Sequence, residues 1–308
     1  MRKFAWCVLA LAVAGGFWLF IEQRRSPLPP DLSGLLAYVS DRSGANALYL
    51  RRLPRGADRR LTFLTEAVGE PAFSPDGSRI AFSAEGRIGV VSVASGDVRM
   101  LTLGVDWSDG SPAWRPDGAA LLVVARREGE ANADIHLLTP VDAPAGQAQR
   151  RPLTLTPGLD ESGPKFCPDG SCMVFVRQDS VFRLDLAEGR TRRLTRGFRL
   201  MRQPRFLSSG RLLCLWSQEK QHGIDVMDAD GKNQETIWQG SVYYRNVAPS
   251  PDGRFLAATY TFDLRFQPQE ALRLRRVEEL RLLDWRGNVV GELARSSLHA
   301  NHSPDWAK

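Results

Sequence analysis

Three carboxylates stand at matched points of the chain. Glu70, Asp109 and Glu161 each lie one to three residues ahead of a short phrase that opens with proline, at Pro71, Pro112 and Pro164. Carboxylates delivered by three separate strands could hold a divalent cation and support metal-assisted hydrolysis or isomerisation. The same points further along carry Arg202 and Gln203, then Tyr244, Arg245 and Asn246, and finally Asn301 and His302. A mouth that is acidic on one side and basic on the other suits a zwitterionic peptide or a charged partner loop. The plainer reading is a solvated rim whose charges balance.

Other catalytic signals are sparse. The chain has 4 histidines, His136, His222, His299 and His302, and the last two form a pair without an evident third metal ligand. It contains no His-Glu-x-x-His helix motif, no Gly-x-Ser-x-Gly elbow and no phosphate-cradling Gly-x-x-x-x-Gly-Lys loop. Non-catalytic recognition of a protein or peptide is therefore the leading reading. A metal-assisted enzyme and a ligand-sensing domain are the alternatives. No cofactor is expected, apart from the divalent cation that the three carboxylates would need.

The elements that position these residues are set by a repeat. PAFSPDGSRIAF from Pro71 returns as PAWRPDGAALLV from Pro112, PKFCPDGSCMVF from Pro164, PRFLSSGRLLCL from Pro204 and VAPSPDGRFLAA from Val247. Each phrase is a short apolar strand, a tight turn built on Asp-Gly or Ser-Gly, and a second apolar strand. Aspartate bonds back to the local backbone and glycine accepts positive φ, so the chain reverses there. Two further strands follow, as in IGVVSVASGDVRMLT from Ile88 and VFRLDLAEGRTRRLT from Val181, often ending in Leu-Thr. Four antiparallel strands per period of about 40 residues describe a propeller blade.

Five phrases give five blades. Residues 35–62 match the last three strands of another, and Ser303-Pro304-Asp305-Trp306 resembles the start of a phrase. The expected fold is all-β: a six-bladed β-propeller of four-stranded antiparallel blades, closed by the C-terminal strand joining the first blade. One N-terminal transmembrane or signal helix precedes it, and the propeller is expected to be monomeric.

The SPDG-centred phrases resemble the repeats of the TolB-like, or WD-like, propeller family over about residues 35–308. The resemblance implies a propeller outside the cytoplasm, in the periplasm, and a role in binding a partner in the cell envelope. It specifies function weakly, because the same repeat serves partner-binding proteins, accessory domains of peptidases and sensors. The α/β domain that precedes the propeller in the family's namesake is not expected here, where an anchor and a linker come before blade one.

Residues 1–25 form the membrane segment. Arg2 and Lys3 precede Phe4–Ile21, a stretch without charge and just long enough to span a bilayer as a helix. An uncleaved anchor is favoured over a signal peptide cleaved after Ala12-Val13-Ala14. Residues 26–34 read as a Pro-rich, semi-rigid linker that holds the propeller, residues 35–308, off the membrane.

The formal charge is +6, but the excess is arginine spread along the chain with no nucleic-acid module, so nucleic acid is not an expected partner. Its densest run lies between Arg190 and Arg211. There Arg192, Arg193, Arg196 and Arg199 could dock anionic headgroups or an acidic partner, or simply face water. Cys167 and Cys172 flank the turn of blade four and could pair in an oxidising space. Cys214 reads as a core residue and Cys7 belongs to the anchor. Two insertions complete the inventory. Phe262–Glu279 is either an amphipathic flap or an extended hairpin, and Pro140–Arg151 is expected to be mobile.

Overall fold

A computed structural model describes residues 27–265, 274–294 and 299–308, the side chains of 262–265 and 274–277 excepted. The expected membrane segment, with Cys7, lies outside the described residues, as do Phe266, Leu272 and Arg273 of the long insertion. Among the described residues, no helix is long and apolar enough to cross a membrane.

Each blade is one four-stranded antiparallel sheet, and there are six. Their innermost strands are Asn301–Ala307 in blade one, then Val68–Phe73, Trp107–Trp114, Glu161–Phe166, Leu200–Phe206 and Tyr244–Pro249 in blades two to six. Asn301–Ala307 pairs antiparallel with Leu35–Ser40, so the last strand of the chain lies beside the first. The strands alternate too weakly to bury one face only, because both faces of a blade are covered by neighbours. Six apolar clusters result, one at each blade interface. Phe82 and Leu48 meet between blades one and two, for example, and Tyr38, Leu282 and Trp306 between blades six and one.

The turns in the phrases take the conformation their residues favour. Gly77, Gly118, Gly170, Gly210 and Gly253 have φ between 69° and 79°. Asp76 accepts from the Ser78 amide at 3.1 Å and from the Ser74 hydroxyl at 2.5 Å. The hydroxyl bonds from Ser74 and Ser78, followed by the Ser78 amide bond, hold the Asp76 carboxyl down at about 2.

The recurrent Leu-Thr is a latch. Thr62, Thr102, Thr154 and Thr195 are buried. Their hydroxyls accept from the amides of Leu48, Ile88, Ile135 and Val181 at 2.8–2.9 Å. The leucine just before each threonine donates its own amide to the carbonyl of that same residue. Each pair thus ties the end of an outer strand to the third strand of its blade, in blades one to four.

Two expectations change. The segment Pro140–Arg151 is held in place rather than loose: Arg99 donates to the carbonyls of Val141 and Ala143, each at 2.6 Å, and Val141 joins the core between blades two and three. The described part of the linker does not stand clear of the propeller either. Leu32 is buried against blades one and six, Leu28 packs beside it, and Asp31 pairs with Arg254. Two leucines in a short segment have more to gain from that apolar seam than from water. The insertion in blade six continues the strands Leu256–Arg265 and Leu274–Leu283 as a paired hairpin.

Candidate functional site

The inner strands share an irregularity that builds the axial site. In all six the register shifts by a bulge near the middle of the strand. The residue at the bulge is Glu70, Ser111, Gly163, Gln203, Asn246 or Ser303, one from each blade. Five of these have φ between 48° and 59°, Asn246 being the exception. Holding a non-glycine residue in the left-handed region costs roughly 1–2 kcal/mol. Four such residues at equivalent points mean that the blade geometry imposes this conformation. Its effect is to turn the six positions onto the axis, where all six line one cavity of about 390 Å³.

Hydrogen bonds join ring neighbours. Glu70 accepts from the Ser111 amide at 2.6 Å and from the Ser111 hydroxyl at 2.7 Å, linking blades two and three. On the other side Gln203 donates to Asn246, Asn246 donates to Ser303 at 3.3 Å, and the Ser303 hydroxyl lies 3.0 Å from His302 Nδ1. Burial is the main cause that holds the His302 imidazole below its usual range.

Two positions further along each strand stand Ala72, Ala113, Lys165, Arg205, Ala248 and Asp305. Lys165 and Arg205 reach the cavity. Arg205 is held by Asp305 at 2.8 Å, a bond from blade five to blade one, and Asp305 also accepts from the Phe73 amide of blade two at 2.7 Å. Burial, reinforced by the Arg205 charge, pushes Lys165 down to about 7. At the rim Arg202 donates to the Tyr243 hydroxyl at 2.9 Å and to Ser217, which in turn meets His222 Nδ1 at 2.8 Å. Arg245 pairs with the buried Glu278 at 2.9 Å.

The residues singled out in the sequence divide in two. Glu70, Arg202, Gln203, Arg245 and Asn246 line the cavity; Asp109, Glu161, Tyr244, Asn301 and His302 are not among its lining residues. Asp109 is buried and paired with Arg150 at 2.8 Å, and Glu161 is buried against Arg177 and Thr154. Tyr244 packs on Trp238, and Asn301 accepts from Arg42 at 3.1 Å. The three carboxylates therefore do not converge. Among the described residues, the only group of three metal-ligating side chains within reach of one another is Cys167, Asp169 and Cys172. The two cysteines of that group form a disulfide across the turn, with Cα atoms 5.2 Å apart. Cys214 is buried in the core, which pushes its thiol up.

Lys165, Arg205, Asp305, Ser111, Ser303 and Tyr243 were missed by the motif reading. A signal was present for three of them: the residue after the phrase proline is alanine in blades two and three, but lysine, arginine and aspartate in blades four, five and one. The arginine run is also partly spent. Arg199 pairs with the buried Asp225 at 3.0 Å and lies over Trp216, whereas Arg192, Arg193 and Arg196 are exposed.

A second feature belongs to the same face. Of the exposed large apolar residues among those described, Phe63, Leu103, Val105, Leu155, Phe198 and Leu200 lie in or at the end of the connections from one blade's outer strand to the next blade's inner strand; Val289 alone does not. Those connections deliver the chain to the start of the inner strands, the end that leads into the ring. Phe198 is 94% exposed, Phe63 76% and Leu155 73%. Isolated exposed apolar side chains are ordinary; these six are distributed over the four connections that join blades one to five.

The blades and their axial ring define a six-bladed β-propeller, and the chain is similar to TolB proteins. No protein-family profile matches the sequence. The chain is 34% identical over 163 residues to the Protein TolB homolog of Chlorobium luteolum, across 51% of this chain and 35% of that protein. The match thus spans about a third of the relative's length. Among solved structures, TolB from Acinetobacter baumannii superposes with a TM-score of 0.69 at 18% identity, covering 91% of this chain and 68% of the other. A putative TolB from Agrobacterium tumefaciens gives 0.62 at 18% identity, covering 90% and 99%. At that identity the structural likeness speaks to the fold alone.

Proposed function

We propose that this chain is a non-catalytic binding scaffold of the cell envelope that takes a protein or peptide partner at the mouth of its axial channel. The carrying observation is the coincidence, on one face, of a polar cavity of about 390 Å³ with exposed apolar side chains around its approach. Apolar anchors around a polar, charge-lined centre are what a polypeptide partner requires. In this reading the C-terminal strand closes the ring and makes the mouth a rigid rim, so little order has to be gained on binding.

Residues 4–21 hold the propeller at the membrane, and the propeller works outside the cytoplasm. Their uncharged run supports the first statement. The likeness to a TolB homolog supports the second, as does the Cys167–Cys172 disulfide, a bond that persists in oxidising compartments.

The test is crosslinking and affinity capture of the full-length protein from its native envelope, beside Arg202→Glu/Arg245→Glu with an unchanged circular dichroism spectrum. A specific partner captured by the wild type and lost from the double variant is the expected result. Absence of any partner from the wild type, or its retention by the variant, contradicts the proposal.

A further inference from the structure

The charges that line the cavity do not cancel within it. Glu70 has both carboxylate oxygens occupied by Ser111. Arg205 is neutralised by Asp305 and Arg245 by Glu278. Arg202 bonds only the neutral hydroxyls of Tyr243 and Ser217. Lys165 has no hydrogen-bond or ion-pair partner among the described residues, although it is half-buried in a position where the equivalent residues of three other blades are alanine. Two cations without an ion-paired carboxylate thus face the one carboxylate Glu70, which is hydrogen-bonded by Ser111 but keeps its charge. With Arg205 and Arg245 ion-paired, Lys165 and Arg202 stand against the single charge of Glu70, and that excess of positive charge favours an anion.

We infer that Lys165 and Arg202 form the seat for a carboxylate presented by the polypeptide that docks at the mouth. The inference rests on the docking reading above and specifies its chemistry. An ammonium held away from bulk water gains most from a partner that brings its own negative charge, because the bond formed is charge-assisted and weakly screened. Arg202, which lines the same cavity, offers a planar fork suited to the two oxygens of one carboxylate. The surrounding charges are Glu70, Arg205 with Asp305, and Arg245 with Glu278. Lys165, pushed down to about 7, carries its proton in full only below neutrality, so the seat weakens as pH rises unless the anion restores the charge.

The experiment uses the full-length protein in detergent and a fluorescent hexaglutamate peptide, with hexaglutamine and inorganic phosphate as comparisons. Anisotropy is read at pH 6 and pH 8.5 for the wild type, Lys165→Met and Lys165→Arg. Hexaglutamate is expected to bind the wild type, hexaglutamine to bind poorly, and the affinity to be lower at pH 8.5. Lys165→Met should bind about 10-fold more weakly and lose the pH dependence, the size expected for one charge-assisted bond. Lys165→Arg should bind at both pH values, which shows that the fold of the seat tolerates substitution. Unchanged binding by Lys165→Met overturns the seat, and equal binding of hexaglutamine overturns its carboxylate specificity. Displacement of the peptide by an equimolar amount of phosphate would assign the seat to a free anion instead. If Lys165→Met is unaffected while the envelope partner is still captured through Arg202 and Arg245, the seat alone fails. If no partner is captured, docking fails whatever the peptide does.

Discussion

At the scale of single residues, Lys165 is the least comfortable group in the channel. Burial disfavours its charged form, and the Arg205 charge adds to this, while Asp305 and Glu70 oppose it. In the unfolded chain the ammonium keeps its ordinary 10.5, so between about 7 and 10.5 the unfolded state binds more protons than the folded one. Stability therefore rises with pH across that window. Lys165→Met should unfold at a higher urea concentration than the wild type at pH 6, and its advantage should shrink steadily from about pH 7 upward, as read from urea midpoints in phosphate-free buffer. A constant difference across that range would mean that the lysine is fully solvated. None of this is visible from composition. Lys165 stands inside what reads as an ordinary strand, and only comparison with the alanines of blades two and three exposes it. Asp109 and Glu161 fail in the opposite way: they look available at the mouth, yet Arg150 from the outermost strand of blade three and Arg177 from the strand beside Glu161 consume them.

At the scale of elements, much was legible because the turns and latches are local. The Asp-Gly turns and the Leu-Thr ends follow from residues within a few positions, and they mark the blades directly. The bulge is different. Glu70, Ser111, Gln203 and Ser303 adopt positive φ although their residue types give no hint of it; only Gly163 carries a signal. That single irregularity decides which residues reach the axis. It brings Gln203 and Asn246 to the cavity but leaves Tyr244 and Asn301, two positions earlier, packed within the blades. The latch makes a sharper prediction for the element it holds. Thr102→Val keeps the shape but leaves the buried Ile88 amide without its hydroxyl acceptor, and chemical denaturation should show a loss of about 1–3 kcal/mol. A loss below about 0.5 kcal/mol would mean that the Ile88 amide finds another partner.

At the scale of the whole molecule, the repeat establishes six blades, and their two faces are chemically unequal. One end of each inner strand receives the connection from the preceding blade, and four of these connections carry Phe63, Leu103, Leu155 and Phe198; the other end carries the Asp-Gly and Ser-Gly turns. The ring itself, and therefore the cavity, could not be seen residue by residue, since its members are about 40 positions apart and meet only on the axis. The central claim is that a partner docks on the channel-mouth face. Its most direct test places a photocrosslinking amino acid at either end of one strand, at Phe198 beside Leu200–Phe206 and at Ser209 in the turn that follows, and irradiates the protein in its native envelope. Crosslinking to one discrete partner from position 198, with none from position 209, is the predicted result. A partner crosslinked from position 209 alone would place the docking surface on the opposite face and contradict the account.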